Sequence, residues 1–357
     1  MEGMVKKSFW RDKKIFITGH TGFKGSWLSQ WLLSYGAKVH GYSLAPHTQQ
    51  RLFNLLGLDN SLESNTYGDI RDSSRLHRAL IHAKPDIVFH LAAQPIVRES
   101  YLTPIRTLEV NALGTANLLE SVRTLNSVRA VVNVTTDKCY ENEERDKLYT
   151  ETDPLGGHDI YSASKACSEI ITSAYRRSFF IDKDQYIATA RAGNVIGGGD
   201  YSSDRLIPDL FRAIDTNSSL YIRNPSAIRP WQHVLEPLSG YLNLAENLFL
   251  GGSDFVGAWN FGPNKKDCIS VQSLLDIASK KIDFSWEGDN SISPHEARLL
   301  MLDNSKANKL LSWQPKLSIE EAIQLTIDWH NHSQHDTDMQ SLMLSQIQKF
   351  MDNLELR

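Results

Sequence analysis

Cysteine is scarce, with three in 357 residues, Cys139, Cys167 and Cys268. Their odd number and wide spacing exclude a disulfide framework and a Cys-x-x-Cys metal site, and they suit a reducing compartment, so a cytoplasmic protein is expected. Charge of one sign is lacking too. The 38 Lys and Arg face 42 Asp and Glu, a net charge of −4, which gives no basic footprint for a nucleic-acid partner. No apolar run approaches the about 18 residues of a membrane span, and no signal-peptide core follows the charged N-terminal segment, so neither export nor a membrane partner is expected. The histidines, His330 and His332 included, have no metal-ligand partners at convincing spacing, and no metal is expected. What remains is ordinary globular composition, 41% hydrophobic and 22% charged. It is long enough for two domains or for one large α/β domain with a smaller lobe.

Short β-branched runs alternate with amphipathic stretches. Strands are predicted at 14–18, 37–42, 86–91, 130–135 and 186–191, and helices at 27–33 and 108–122. Parallel strands joined by crossover helices make a doubly wound α/β sheet. The regularity fades after Asn194, with helices at 206–214 and 234–248. This predicts a dinucleotide-binding body over 1–194 plus about 230–254, and a discontinuous substrate lobe over about 195–230 and 255–330. A tail, 331–357, carries an amphipathic helix over 341–354 that packs on the body and is not basic enough for a membrane surface.

Between the first strand and helix stands Gly19-His20-Thr21-Gly22-Phe23-Lys24-Gly25. Glycines at this spacing allow a tight bend, close approach of the backbone to a pyrophosphate and close helix packing, with the helix N-terminus facing the anion. Thr21, Phe23 and Lys24 lie within reach of the same ligand. The acid expected at the end of the second strand, to hold the adenosine ribose, is missing. Tyr42-Ser43-Leu44-Ala45 occupies its place, so Ser43 is the candidate there, with Asp69 and Ile70 for the adenine edge. Arg51 could face a 2′-phosphate, which leaves NAD and NADP both open from the residues alone.

Tyr161 and Lys165 are four residues apart, one helical turn on the same face, where an ammonium is expected to lower the phenol pKa and make Tyr161 a general base. The strand ending at Thr135 delivers Thr136, Asp137 and Lys138 to the rim where ligands of α/β sheets bind.

Together with His90-Leu91-Ala92-Ala93-Gln94, Asn111-Ala112-Leu113-Gly114-Thr115 and Arg191-Ala192-Gly193-Asn194-Val195, these segments strongly resemble the extended short-chain dehydrogenase/reductase family, within it the nucleotide-sugar 4,6-dehydratases. The resemblance covers nearly the whole chain. It implies a Rossmann fold, NAD as cofactor, and contacts to it from Leu91, Ala92, Ala93, Gln94, Asn111, Tyr161 and Lys165. It also implies that Tyr161, helped by Thr136 and Lys165, deprotonates the sugar 4-hydroxyl as hydride leaves carbon 4. Protonated Asp137 donates to the departing 6-hydroxyl, and the residue at position 138 either removes the carbon 5 proton or, being Lys138 in this chain, only stabilises the enolate while a water or Tyr161 takes that proton. Most of the group carries Glu there. Lys138 and the Gly-His-Thr-Gly-Phe-Lys-Gly-Ser-Trp turn resemble the branch whose substrate is CDP-glucose, which feeds deoxysugar synthesis for O-antigen lipopolysaccharide. Asn194, Arg205, Arg229 and Arg298 are the implied substrate contacts, while Trp231 reads as core. The helices around 108–122 and 161 commonly pair between subunits in this family, which implies a homodimer or a dimer of dimers. The alternatives are another dehydratase of the group, a 4-epimerase, and a non-enzymatic NAD-sensing regulator.

Overall fold

The computed structural model describes residues 5–46, 52–288, 299–335 and 338–355. Seven parallel strands form its central sheet: β1 (Lys14–Thr18), β2 (Lys38–Ser43), β3 (Ser64–Tyr67), β4 (Ile87–His90), β5 (Ala130–Val134), β6 (Tyr186–Ala192) and β7 (Gly257–Phe261). Their order is β3-β2-β1-β4-β5-β6-β7. The chain starts at β1 and winds outward in both directions, so a crevice opens at the carboxyl ends of β1 and β4, where ligands of open α/β sheets bind.

Strand alternation builds a core on each face. Ile15 and Ile17 point into a cluster with Trp27, Leu28 and Trp31 of helix α1 (Phe23–Ser34). Phe16, between them, points into the opposite cluster with Leu76, Leu80, Leu118 and Val122. The tips of β1 and β4 are stitched together, as Thr18 Oγ1 and His90 Nδ1 lie 2.7 Å apart and the Ala92 N–H donates to Thr18 Oγ1 at 3.2 Å.

A third cluster forms the lobe from Ile207, Leu210, Leu220, Trp231, Leu274 and the first half of the helix Ile319–Ser333. Trp231 is a core residue whose Nε1–H donates to the Ile269 carbonyl at 3.1 Å. One predicted boundary needs correction. Residues 257–261 belong to the main sheet and not to the lobe, because β7 pairs in register with β6 from Gly257↔Ala188 to Phe261↔Ala192. The helix predicted over 234–248 is the crossover that leads into this strand, but the five residues themselves carry no local mark of their partner. The helix Met339–Glu355 lies on α1, with the Phe350 ring 6.1 Å from Trp31. Among the described residues no helix is long and apolar enough to cross a membrane.

Candidate active site

One cleft of about 540 Å³ runs along the carboxyl ends of the strands between body and lobe. At one end lies the glycine turn. Gly19 sits at φ +76°, and a Cβ there would come 2.7 Å from the Ala92 amide nitrogen; one on Gly25 would come 2.1 Å from the Gly19 carbonyl oxygen. Only glycine allows this tight cradle, and Gly22 caps the N-terminus of α1. The backbone shape fits a dinucleotide pyrophosphate. Thr21 Oγ1 donates to the Leu44 carbonyl at 2.9 Å and shares a 2.8 Å hydrogen bond with Ser43, closing the turn against the end of β2. Phe23, Asp69, Ile70, Leu91, Ala92 and Ala93 line the same cleft. Asp69 is tied to Arg71 at 2.8 Å, and that guanidinium holds its carboxyl below the usual range. Arg51 lies outside the described residues.

Gln94 and Asn111 do not line the cleft. Both are buried behind its wall: Asn111 Nδ2 donates to the Gln94 carbonyl at 3.0 Å and to Ser164 Oγ at 2.8 Å, and Asn111 Oδ1 accepts the Gln94 N–H at 2.9 Å. Asn111 thus ties the loop after β4 to helix α2 (Ile160–Phe179), which carries Tyr161 and Lys165. It sits in a π-helical turn, Glu109–Leu113, inserted between the α-helical Pro104–Leu108 and Gly114–Arg123. The i→i+5 turn gives that helix a local bulge, a feature frequent at functional sites.

At the cleft's centre stand Thr136, Asp137, Lys138, Tyr161 and Lys165. Thr136 caps the short turn Asp137–Cys139, and its hydroxyl donates to Asp137 Oδ1 at 2.9 Å. Asp137 Oδ2 is buried without a hydrogen-bond partner. Burial raises the Asp137 carboxyl above its ordinary value, against the opposing pull of Lys138, Thr136 and Arg229. A carboxyl in this state can hold and donate a proton.

The tyrosine departs from expectation. Burial pushes Tyr161 up to about 12, although hydrogen bonding to Thr136 works the other way. Lys165 is itself lowered to about 8 by burial, and its Nζ donates to the Val134 carbonyl at 3.3 Å. Burial therefore overrides what the spacing predicts, and the charges acting on the phenol come from Arg205, Asp137 and Asp159 rather than from Lys165. Behind this centre a buried ion pair, Arg191 to Glu169 at 2.8 Å, joins β6 to α2. Glu169 also accepts from Thr135 and Thr189, and Arg191 donates to the Tyr140 hydroxyl at 2.7 Å.

The family model for GDP-mannose 4,6 dehydratase matches residues 16–326. The chain belongs to that family of nucleotide-sugar dehydratases. A curated relative, the CDP-glucose 4,6-dehydratase of Salmonella typhimurium, is 47% identical, over 98% of this chain and 99% of its own. Among solved structures, an epimerase of Methanothermobacter thermautotrophicus superposes with a TM-score of 0.80 at 22% identity, covering 92% of this chain and 96% of its own. MoeE5, solved in complex with UDP-glucuronic acid and NAD, reaches 0.77 at 22%, covering 90% and 99%. At such identity the structures speak for the fold alone.

On the lobe side, Asn194, Arg205 and Arg229 line the cleft, whereas Arg298 lies outside the described residues. Arg205 pairs loosely with Asp200 at 3.7 Å and acts electrostatically on Tyr161 and Lys24. Lys24 extends to within 5.9 Å of the Tyr241 ring, and burial, with Arg205 and Lys165 nearby, lowers it to about 7. It thus feels the charges at the centre of the cleft while sitting in the glycine turn.

Three cleft arginines, Arg98, Arg106 and Arg223, escaped the sequence reading. Arg98 of the body and Arg223 of the lobe share the carboxylate of Asp204, at 3.1 and 3.3 Å, and bridge the cleft. Asp204 holds a left-handed φ of +57°. Residues so far apart in sequence leave no spacing signal. Among the described residues no group of three or more His, Cys, Asp or Glu is placed to hold a metal ion.

Proposed function

We propose that this chain is a cytoplasmic, NAD-dependent enzyme that converts CDP-glucose to CDP-4-dehydro-6-deoxyglucose and water, a precursor for the deoxysugars of O-antigen. The observation that carries the reading is the juxtaposition of Asp137, raised by burial, with Thr136, Lys138, Tyr161 and Lys165 in one cleft. The 47% identity to a CDP-glucose 4,6-dehydratase supports the choice of nucleotide. NAD held by the glycine turn would supply the acceptor for the carbon 4 hydride and its return to carbon 6.

The protein's own groups do the rest. Gly19 to Gly25 hold the pyrophosphate with backbone N–H groups and the α1 N-terminus. Tyr161 accepts the 4-hydroxyl proton, and Thr136 and the Lys165 ammonium stabilise the phenolate that this requires. Oxidation makes the carbon 5 proton acidic by delocalising its carbanion into the new 4-keto group. Lys138 faces that carbon as its base, and Asp137 protonates the departing 6-hydroxyl. Asn194, Arg205 and Arg229 hold the sugar diphosphate. A 4-epimerase needs Tyr161 and Lys165 but has no use for a buried carboxyl, raised by burial, beside Lys138.

The same reading makes the molecule a homodimer. Leu102, Ile105, Leu113 and Ile170 are large apolar side chains left exposed on the helices around the π turn and on α2. Such a face marks an interaction surface.

The test is a substrate panel. Incubation with CDP-, dTDP-, GDP- and UDP-hexoses plus NAD is expected to yield the alkali-induced absorbance of a 4-keto sugar with CDP-glucose. A hexose of unchanged oxidation level would identify an epimerase, and no turnover at all would restore a binding protein.

A further inference from the structure

The proposed reaction divides its work between two parts of the cleft. Tyr161 serves the oxidation at carbon 4. Asp137 and Lys138 serve the elimination, in which the C5–H electron pair becomes the C5=C6 double bond and the C6–O pair leaves with an oxygen that takes its proton from Asp137. These two side chains stand on a turn of three residues, Asp137–Cys139, and a single turn has little stiffness of its own. A misplacement of about 1 Å at a reacting group can cost on the order of 100-fold in rate. What grips the turn therefore bears on the chemistry.

We propose that Tyr140, gripped by Arg191 and Asn260, is a positioning residue for the elimination: it fixes the outgoing end of that turn, as Thr135 bonded to Glu169 fixes the incoming end. The proposal rests on the dehydratase reading above and adds a support to it. The Tyr140 hydroxyl accepts from Arg191 Nη1 at 2.7 Å and donates to Asn260 Oδ1 at 2.7 Å. Its two partners are register neighbours on β6 and β7, Asn260↔Arg191, so adjacent strands of the sheet hold one hydroxyl between them. At the other end Thr135 Oγ1 donates to Glu169 Oε1. Arg191 meets the same carboxylate with two prongs, Nε to Oε1 at 3.0 Å and Nη2 to Oε2 at 2.8 Å. One guanidinium thus reaches both flanks of the turn.

Burial makes the grip specific. Tyr140 is 1% exposed, Asn260 0%, and Arg191 and Glu169 3% each, so water does not compete for these bonds. A two-pronged charged pair in such surroundings has one preferred geometry. Thr189 adds a bond to Glu169 Oε2 at 2.7 Å, and Asn260 Nδ2 is itself anchored on the Tyr149 carbonyl at 2.8 Å. The Tyr140 ring has a separate task, since it packs in an apolar cluster with Tyr149 and with Ala166, the residue after Lys165. Tyr140, Arg191, Glu169 and Asn260 do not line the cleft. They act through the turn, and β7 takes part in the site by way of Asn260 without reaching the substrate.

The experiment removes the hydroxyl and keeps the ring, with Tyr140→Phe. Circular dichroism and NAD binding by fluorescence titration are expected to match the parent, and the KM for CDP-glucose to stay within about twofold of it. The kcat is expected to fall at least about tenfold. Deuterium at carbon 5 of the substrate is expected to slow the variant by a larger factor than it slows the parent, and deuterium at carbon 4 by no larger a factor, because the elimination alone has become slower. Should Tyr140→Phe not fold, Arg191→Lys, which keeps a charge opposite Glu169 and loses the donor to Tyr140, is read by the same criterion. Turnover at the parent's rate, or a loss that leaves the carbon 5 isotope effect unchanged, overturns the positioning role and leaves the network a purely structural one. If the parent itself makes no 4-keto sugar from any nucleotide hexose, the dehydratase reading falls and takes this role with it; a parent that makes the sugar leaves only the role of Tyr140 on trial.

Discussion

Lys138 is the residue where this chain departs from most of the dehydratase group, and its role divides into two possibilities with different kinetics. As the carbon 5 base it must be neutral when it acts, against an ordinary lysine pKa of about 10.4. As an enolate stabiliser it must be charged. Lys138→Ala is expected to bind NAD as the parent does, by fluorescence titration, and to lose at least about 100-fold in kcat, in the range typical of a general base. Near-normal turnover would remove Lys138 from the chemistry. Lys138→Glu, which restores the group's usual base, is expected to recover much of that loss, with the acid limb of the pH profile moved down; no recovery would make Lys138 a stabilising charge. At this scale the sequence was informative about identity and poor about state. The motif residues do converge in one cleft, but the upward displacement of Tyr161 to about 12 comes from burial, which the Tyr161 to Lys165 spacing does not encode. Gln94 and Asn111 show the same limit, since their motif positions are met while their side chains face the wall and not the cleft.

Elements are held to one another by buried acids at a joint that no motif announced. Glu236 begins the helix Leu235–Gly251, and its Oε1 accepts the N–H groups of Lys316 and Leu317 at 2.7 and 2.6 Å, just before the helix Ile319–Ser333. Its Oε2 is buried without a partner, and burial raises the carboxyl to about 7. A pKa raised in the folded state means that the native molecule holds the extra proton, so the stabilisation is fully present below the unfolded value of 4.5 and is lost as pH rises through about 7. For a fully buried group this amounts to about 3 kcal/mol as an upper figure. Glu236→Gln keeps the acceptor oxygen and cannot ionise. Urea unfolding is expected to show the variant more stable than the parent at pH 8 and level with it near pH 5; equal stability at both would remove this joint from the pH dependence. The strands β1, β2, β4, β5 and β6 were legible as short apolar runs bounded by turns, whereas the polar β3, Ser64–Tyr67, was not among the predicted strands. β7 and the π turn were not legible either, since one depends on a partner strand 69 residues earlier, Gly257 on Ala188, and the other on a single inserted residue within an otherwise regular helical pattern.

For the molecule as a whole, the sequence order announced the doubly wound body, while the lobe had to be assembled in space from pieces that share only the cluster of Ile207, Trp231, Leu274 and Ile323. The remaining question at this scale is what covers the apolar face beside the active site. Leu102 is 78% exposed, Ile105 68% and Leu113 58%, and Asn111 runs from the π turn between them to Ser164 on α2, next to Lys165. Covering this face with a second copy would bury those side chains and hold both helices that support the catalytic groups. The parent is therefore expected to sediment at about twice 40.4 kDa or a multiple of that. Ile105→Glu combined with Leu113→Glu places charges on the face without touching the cleft, and is expected to give monomers that still bind NAD but have lost most of their kcat, because the π turn and α2 lose their outer support. A parent that sediments as a monomer, or a doubly substituted variant that stays associated, would show that this face has another use; monomers with full kcat would show that the catalytic helices keep their geometry without a partner.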